Sequence, residues 1–482
     1  MEEEKLETSP LLKKKYHQNC PGCKVDQAKE QKKDVSFVNL SFIWLAVLSG
    51  TLPVASLFPF VYFMVKDFNI AETEEDISTY AGYVGSSMMF GRALTSILWG
   101  MISDRYGRKP VIIIGIITVV IFNTLFGLST SFWMAISMRF LLGSLNGLLG
   151  PIKAYATEIF REEEQALGLS TVVAAWGVGL VIGPALGGYL AQPVLKYPHV
   201  FPADSFWDRF PYFLPCFIIS AFAFASAIAC IWLPETLHNH NDSIESTNNV
   251  EVLEIESCGT GKEKDKSIFQ NWPFMSSIIV YCVFSLHDVA YQEVFSLWAL
   301  SPTRLGGLNF TSDDVGNVLA ISGLAITIYQ LSLYRLVQKA CGPVTLVQIT
   351  GVLSIPLLQC YPFVTRLSGF TLQLVINVVS ILKNVMIETI ATSLFLLQNK
   401  AVEQHQRGTA NSIAMTGMSA FKTIGPASAG ALLSWSQKHV NGSFLPGTHI
   451  VFLALNVVEG LGVLLMFKPF LRVKNEAPPS EQ

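Results

Sequence analysis

Apolar residues run along this chain in long stretches, and short polar segments separate them. A helix rises ~1.5 Å per residue and bilayer hydrocarbon is ~30 Å thick, so roughly 20 apolar residues suffice to cross a membrane. The pattern therefore predicts twelve transmembrane helices, at residues 39–65, 79–102, 111–130, 132–155, 167–191, 211–233, 272–300, 315–337, 343–363, 369–397, 409–435 and 449–468.

The longest internal polar segment divides these helices into two sets of six. Residues 234–270 are rich in Asn, Glu, Ser and Lys and lack a periodic apolar pattern, which is typical of a solvated linker. We expect an all-α membrane protein with a disordered cytoplasmic tail (1–38), a six-helix bundle (39–233), a cytoplasmic linker (234–270), a second six-helix bundle (271–468) and a cytoplasmic tail (469–482).

Composition supports a membrane class. The 482 residues are 51% hydrophobic and only 14% charged, whereas soluble domains carry about 25% charged residues. The net charge of -3 gives no basic surface for nucleic acid, and the eight cysteines are too scattered for a disulfide framework. No cleavable signal peptide is expected, and Lys and Arg concentrate on the side of both termini, which predicts cytoplasmic termini. No hydrolase or P-loop motif is present, so we expect neither an enzyme nor a cofactor.

A short repeat links the two predicted bundles. Residues 182–190 read IGPALGGYL and residues 424–432 read IGPASAGAL, in the fifth and eleventh predicted helices. The repeat unit is therefore six helices. Two like-oriented halves suit alternating access, in which the halves rock about a site between them.

The loop after the second predicted helix carries a specific motif, GMISDRYGRK. Its pattern G-x-x-x-D-R-x-G-R-K resembles the signature of the major facilitator superfamily. The resemblance implies a conformational gate that locks in one state and opens in the other. The gate would comprise Gly100, Asp104, Arg105, Gly107, Arg108 and Lys109.

Two further motifs resemble that superfamily. Arg139 and Gly143 match the core of its fourth-helix arginine motif, which is implicated in proton transfer. The fifth helix matches the antiporter motif G-x-x-x-G-P-x-x-G-G, which favours exchange against protons over uniport, with close helix packing as the alternative. The matching positions are Gly179, Gly183, Pro184, Gly187 and Gly188.

Cys20-Pro-Gly-Cys23 in the tail and Pro234-Glu-Thr-Leu-His238 at the linker resemble the plant zinc-induced facilitator-like family. That resemblance implies zinc and iron homeostasis, export of chelators such as nicotianamine or phytosiderophores, or proton-coupled potassium movement. Thiolate and imidazole suit zinc, so the two segments could together bind it. The candidate ligands are Cys20, Cys23, His238 and His240, and the alternative is a reduced, solvated tail.

Ionisable residues inside the predicted helices are candidates for proton coupling or substrate contact, because a charge in the bilayer is costly. Asp288 and Glu388 are the first choices for the proton, with Glu293 behind. Each could instead belong to a structural ion pair. The full set is Arg92, Arg139, His287, Asp288, Glu293, Lys383, Glu388 and Lys422.

We therefore expect a monomeric secondary transporter of a small solute, driven by a proton gradient. A multidrug-type exporter and a non-transporting receptor on the same scaffold are the competing functions. Glu7-Thr-Ser-Pro-Leu11-Leu12 fits an acidic dileucine signal that sorting adaptors read. It favours the vacuolar membrane, with the plasma membrane as the alternative.

Overall fold

The structure is a computed structural model that describes residues 20–31, 37–161, 165–238, 270–402, 407–439 and 447–471. All of their regular elements are helical. The dileucine segment, His240 and most of the predicted linker lie outside the described residues.

The helices of the first half follow the predicted order. They are α1 (Pro21–Gln31), α2 (Phe37–Ala55), α3 (Val61–Asp67), α4 (Ile77–Tyr106), α5 (Arg108–Gly127), α6 (Phe132–Leu145), α7 (Leu149–Glu158), α8 (Gln165–Leu190), the short α9 (Pro193–Lys196) and α10 (Phe206–Arg209), and α11 (Phe213–Cys230).

The second half has eight helices among the described residues. They are α12 (Trp272–Leu300), α13 (Ser312–Ser332), α14 (Tyr334–Cys341), α15 (Pro343–Gln359), α16 (Tyr361–Val364), α17 (Gly369–Lys400), α18 (Arg407–Lys438) and α19 (His449–Leu465). Each of the twelve predicted transmembrane stretches coincides with one of the long helices or with two shorter ones in line.

Two predicted helices of the first half are broken. The first divides into α2 and α3 around Pro59, since proline removes a backbone donor and clashes with the preceding turn. The fourth divides into α6 and α7 at Asn146, whose side chain accepts a hydrogen bond from the Leu148 backbone N–H at 3.3 Å. This local bond competes with the helical ladder.

Eight of the described helices or in-line pairs are long and apolar enough to cross a membrane, and α19 is a shorter apolar helix. Among the twelve, α4, α13 and α18 fall below that level of apolarity. These three helices pack between the halves, α4 against α18 and α13 against α8. All three carry glycine and serine, whose small side chains allow helices to pack closely.

The tail differs from the disordered segment that we expected, because residues 21–31 form α1. The Val25 side chain is buried with the core of the first half. The Gly22 backbone N–H donates to the Leu237 carbonyl at 3.1 Å, and Arg161 Nε donates to the Lys29 carbonyl at 2.7 Å. Periodicity within the tail could not reveal these partners, which are distant in sequence.

The connections between helices lie at two opposite faces of the molecule. The tail face carries α1, the α4–α5 loop and residues 235–238. The far face, at the other end of the long helices, carries residues 66–76, Lys196, Arg304 and Lys438.

Candidate functional site

The α4–α5 loop is fixed by a carboxylate from the end of the sixth transmembrane helix. Glu235 accepts hydrogen bonds from the backbone N–H groups of Arg108 (2.9 Å) and Lys109 (3.0 Å), at the N-terminus of α5. A carboxylate there satisfies orphan donors and complements the helix dipole. Gly107 has φ +111°, and a Cβ atom at this position would overlap the Glu235 carboxylate. Glycine is therefore required here for both conformation and space.

Arg108 joins this loop to the end of α7. Its guanidinium contacts Glu158 Oε1 at 3.0 Å and also pairs with Asp104. Asp104 remains 70% exposed. Asp104 and Glu158 both belong to the first half, so in this conformation Arg108 and Asp104 of the predicted gate pair within one half. Glu158 was not predicted from the sequence, because no motif includes it. Glu235 was part of a predicted motif, but no role was predicted for it.

The glycines of the α8 motif face two different helices. A Cβ atom at Gly179 or Gly183 would overlap Thr51 or Ala55 of α2, and one at Gly187 would overlap Ser56, directly after α2. A Cβ atom at Gly188 would lie 2.7 Å from the Ser312 carbonyl oxygen of α13, in the other half. The motif therefore allows close packing both within the first half and across the two halves.

The second copy of the repeat makes equivalent contacts. A Cβ atom at Gly425 of α18 would overlap Val289 of α12, and one at Gly430 would overlap Ser78 at the start of α4. Thus α18 relates to α12 and α4 as α8 relates to α2 and α13. A further link lies next to Pro426, where the Ala427 backbone N–H donates across the halves to Ser86 Oγ at 2.8 Å.

Ion pairs close the far face at the ends of these helices. Lys438, eight residues after Gly430, contacts Asp76 at 2.6 Å. Lys196, eight residues after Gly188, pairs with Asp313. The Lys438–Asp76 pair lies beyond the contact between α18 and α4, and the Lys196–Asp313 pair lies beyond the contact between α8 and α13. Each pair therefore joins the two halves. Arg304 of the second half adds a pair with Glu74. Sequence reasoning used these lysines only to assign orientation.

Glu293 of α12 lies where the two halves meet. Its side chain is 1% exposed, and neither carboxylate oxygen has a hydrogen-bond partner among the described residues. A Cβ atom at Gly85 of α4 would lie 2.9 Å from Glu293 Oε2. Arg139 of the first half is close enough to interact with this carboxyl electrostatically. An unpaired buried carboxylate is costly unless it meets a cation or takes up a proton.

Arg139 is anchored in the first half. Nη1 donates to the Pro53 carbonyl at 2.9 Å, near the C-terminal end of α2, and the guanidinium lies 4.9 Å from the Phe126 ring centroid. The C-terminal carbonyls of a helix lack partners in the helix and attract cations. Arg92 is near enough to Arg139 to repel it electrostatically, and its Nε has no partner among the described residues.

Asp288, Lys422 and Glu388 form a second group. Lys422 of α18 contacts Asp288 of α12 at 3.2 Å, and Gln292 donates to the same carboxylate at 2.7 Å. Glu388 of α17 interacts electrostatically with both Asp288 and Lys422. Asp288 thus has a cationic partner, in contrast to Glu293.

His287 and Lys383 lie in the interior of the second half. Lys383 Nζ contacts Glu459 Oε2 at 2.8 Å and Ser354 Oγ at 3.0 Å, and His287 Nε2 lies 3.4 Å from the same Glu459 oxygen. The Lys383, His287 and Glu459 side chains are at most 1% exposed. This placement favours a structural ion pair over contact with a solute.

Lys153 is a cation between the halves that sequence reasoning missed. It lies on α7, 3.2 Å from Met415 Sδ of α18 and 5.7 Å from the Phe395 ring centroid of α17. It falls inside the predicted helix 132–155, so the rule that flagged other intramembrane charges could have found it.

Three of the four candidate zinc ligands come together on the tail face. His238 Nδ1 lies 3.9 Å from Cys20 Sγ and 3.9 Å from Cys23 Sγ. One donor atom from each of the three residues lies within 4.8 Å of the other two. The fourth candidate, His240, is outside the described residues.

A sequence model of the Major Facilitator Superfamily matches residues 43–299. The fold agrees with solved structures. A bacterial homolog of the human lysosomal transporter Spinster, crystallised in an inward-facing and occupied conformation, superposes with a TM-score of 0.66 over 89% of this chain and 95% of that one. Its 13% identity supports the fold alone. The chain therefore belongs to the Major Facilitator Superfamily of membrane transporters, and the predicted fold class is confirmed.

Two curated relatives from Arabidopsis thaliana narrow the family. Protein ZINC INDUCED FACILITATOR 1 is 54% identical over 97% of this chain and 99% of its own length. Protein ZINC INDUCED FACILITATOR-LIKE 1 is 56% identical over 96% of this chain and 97% of its own length. Within the superfamily, this chain is a member of the zinc-induced facilitator family, as its motifs predicted.

Proposed function

We propose that this chain is a proton-coupled antiporter that moves a small ion, a metal or a metal chelator across a membrane. The observation that carries the proposal is the position of Glu293, a buried carboxyl at the junction of the two halves that has no hydrogen-bond partner in the described part of the chain. Such a group changes its surroundings whenever the halves move, and a proton-coupled transporter needs a carboxyl of this kind.

The proposed cycle follows from the contacts across the halves. The α4–α18 and α8–α13 crossings and the far-face ion pairs hold the halves together at the far face in this conformation. Opening that face separates Gly85 from Glu293, so the carboxyl meets a new environment and exchanges its proton. The solute occupies the route between the halves when the proton is absent.

Charges of both signs border the proposed route. Asp288, Glu293 and Glu388 would suit a cation, and Arg92, Arg139 and Lys153 would suit a carboxylate. A zwitterionic chelator of the nicotianamine type would use both sets. The names of the relatives link their family to zinc, which is why metals and chelators head the proposed substrates.

The proposed address is the vacuolar membrane, with the tail face towards the cytoplasm and the plasma membrane as the alternative. Lys and Arg on the tail-face connections support this orientation. The dileucine segment supports the vacuolar address and recognition by a sorting adaptor.

Counterflow in proteoliposomes tests the function as a whole. Purified protein should exchange a labelled metal, a chelator or a metal–chelator complex, and an imposed pH gradient should drive net uptake. Uptake of lipophilic drugs instead of these solutes would indicate a multidrug exporter. Binding without flux of any solute would indicate a receptor.

Asp104→Ala tests the predicted gate. Because Asp104 is largely exposed and paired within its own half, its loss should change the stability of this conformation by at most about 1 kcal/mol. Transport should nevertheless fall about tenfold, because the gate would act in the opposite conformation, and that factor equals ~1.4 kcal/mol. Initial rates in proteoliposomes measure the effect, and Asp208→Ala, an exposed carboxylate on the far face, is the control. Unchanged flux in the Asp104 variant would remove the gate role.

Charge reversal at Asp76 and Lys438 tests the far-face closure. Each single variant, Asp76→Lys or Lys438→Asp, places like charges together, and the double variant restores an opposite pair. An exposed pair contributes 0.2–1 kcal/mol, so labelling of a cysteine placed at Ser78, which is buried beside α18, should rise about 1.4- to fivefold in the single variants. It should return to the parental rate in the double variant. Lys66→Gln, which removes a pair made within the first half, is the matched control.

The same closure should resist mild acid. The hydrogen bond from Lys438 holds the pKa of Asp76 below its ordinary value of 3.8, and the bond from Lys66 holds the pKa of Glu74 below 4.5. A carboxylate with a lowered pKa keeps its pairing until the pH falls through that lowered value. Labelling of the cysteine at position 78, divided by that of the exposed Cys341 at the same pH so that the loss of thiolate in acid cancels, should therefore be the same at pH 7 and pH 5. A rise at pH 5 that persists in the Glu293→Gln background would show that the far-face pairs themselves sense protons.

A further inference from the structure

The Cys20, Cys23 and His238 side chains combine features that a soft cation requires. Cys20 is 1% exposed and Cys23 4% exposed, so both thiols lie inside the contact between α1 and residues 235–238. The Gly22 backbone N–H holds the Cys-Pro-Gly-Cys turn to the Leu237 carbonyl at 3.1 Å. A Cβ atom at Gly22 would lie 2.8 Å from the His238 ring, so this glycine lets the ring approach the two sulfurs.

The ligand distances are close to those of a tetrahedral site. Zinc bonds of about 2.3 Å to sulfur and about 2.0 Å to nitrogen place the two donor atoms roughly 3.6 Å apart. The Sγ–Nδ1 distances here are 3.9 Å. The two sulfurs lie within 4.8 Å of each other, and a contraction of the two Sγ–Nδ1 distances by a few tenths of an ångström would bring the histidine nitrogen to the distance of a zinc site. Two thiolates and one imidazole favour Zn²⁺ over the hard cations Mg²⁺ and Ca²⁺, which take oxygen ligands.

An independent observation concerns the other side of the histidine ring. His238 Nε2 lies 3.4 Å from Asp26 Oδ2, and Lys29 donates to Asp26 Oδ1 at 2.9 Å. A carboxylate at Nε2 favours the tautomer that carries its hydrogen there, which leaves the Nδ1 lone pair directed at the sulfurs. Metal-binding histidines commonly have such a carboxylate partner.

We propose that Cys20, Cys23 and His238 bind one Zn²⁺ ion, and that this ion holds α1 against the segment that caps the α4–α5 loop. The ligands come from two segments more than 200 residues apart, so the ion would add bonds between them. The bound segment includes Glu235, whose carboxylate caps α5. The site is separate from the proposed transport route, because its ligands lie on the tail face of one half.

Zinc content of the full-length purified chain tests the site directly. After chelator treatment and equilibration with Zn²⁺, one ion per chain should remain, and Co²⁺ in its place should give the absorption of a tetrahedral thiolate complex. Cys20→Ser/Cys23→Ser and His238→Ala should lose the ion. Cys341→Ser/Cys360→Ser, which removes two exposed thiols of the second half, should keep it. Asp26→Asn, a change at a positioning residue, should weaken zinc affinity about 10- to 100-fold.

Trypsin tests the docking of α1. Cleavage after Lys24 and Lys29 should slow at least fivefold with Zn²⁺ in the parent and in the Cys341→Ser/Cys360→Ser control. The Cys20→Ser/Cys23→Ser variant should show no such protection. Three results would each overturn the proposal. They are a zinc content in that variant equal to that of the parent, a Cys20–Cys23 disulfide in place of bound zinc, and a cleavage rate in the parent that is the same with and without Zn²⁺. None of these readouts depends on transport, so they succeed or fail independently of the proposed antiport.

Discussion

Glu293→Gln is expected to lower transport driven by a pH gradient at least tenfold while substrate counterflow continues. Glutamine keeps the shape of the protonated carboxyl but cannot release a proton. Net movement against the gradient therefore stops, and exchange of one solute molecule for another does not. The factor corresponds to ~1.4 kcal/mol or more. The measurement compares both modes in the same proteoliposomes, with and without an imposed gradient.

Variants of the other carboxyl residues test which side chain carries the transported proton. Glu293→Asp retains an ionisable group and should keep part of the coupling. Asp288→Asn and Glu388→Gln should leave more coupling than Glu293→Gln, because Asp288 is already paired with Lys422 at 3.2 Å and Glu388 lies close to both. If Glu293→Gln keeps the parental pH dependence and Asp288→Asn loses it, the proton site belongs to the second group.

Lys383→Met should destabilise the protein by about 3–5 kcal/mol, because it leaves the Glu459 carboxylate buried without its cation. The effect should appear as a large fall in the midpoint of thermal unfolding of the detergent-solubilised protein. The double variant Lys383→Met/Glu459→Leu removes both charges and should recover most of the loss. Lys422→Met is the matched control. It also breaks an ion pair with a carboxylate, but at a site that is 22% exposed, and should cost less.

The double variant also separates a structural role from a transport role for Lys383 and His287. If the buried pair only stabilises the second half, Lys383→Met/Glu459→Leu should transport at close to the parental rate with an unchanged pH dependence. A stable double variant without transport would place Lys383 in the solute or proton pathway.

Hydrophobic periodicity alone located the transmembrane helices, since a bilayer demands a fixed length of apolar helix wherever the chain crosses it. It failed locally, where a predicted helix is divided in the structure, as between α2 and α3 and between α6 and α7. The first break follows from Pro59, which the sequence displays. The second depends on Asn146 and on the Trp99 ring, which occupies the space where Gly147 lacks a Cβ atom. That contact comes from another helix and cannot be read from the local pattern.

The roles of the charged residues, unlike the positions of the helices, could not be assigned from the sequence. The sequence flagged Asp288, Glu293 and Lys383 for one common reason, that a charge inside a membrane helix is costly. It placed Asp288 ahead of Glu293 for the proton without knowing their partners, although the cost of each charge depends on whether a partner is present. In the structure, Lys383 forms an ion pair with Glu459, and Asp288 forms one with Lys422. Glu293 has no hydrogen-bond partner among the described residues. The structure also revealed Lys153 and Glu158, which no motif had marked.

The sequence by itself therefore determined the class of protein, the repeat of two halves and the residue types needed at the α4–α5 loop and the glycine motif. These depend on segment length, local conformation and side-chain size, which are properties of neighbouring residues. Only the tertiary structure decided which charges pair, which glycines join the halves, and that Cys20 and Cys23 meet His238. Such pairings join residues tens to hundreds of positions apart, and their free energy depends on distances that the order of residues does not contain.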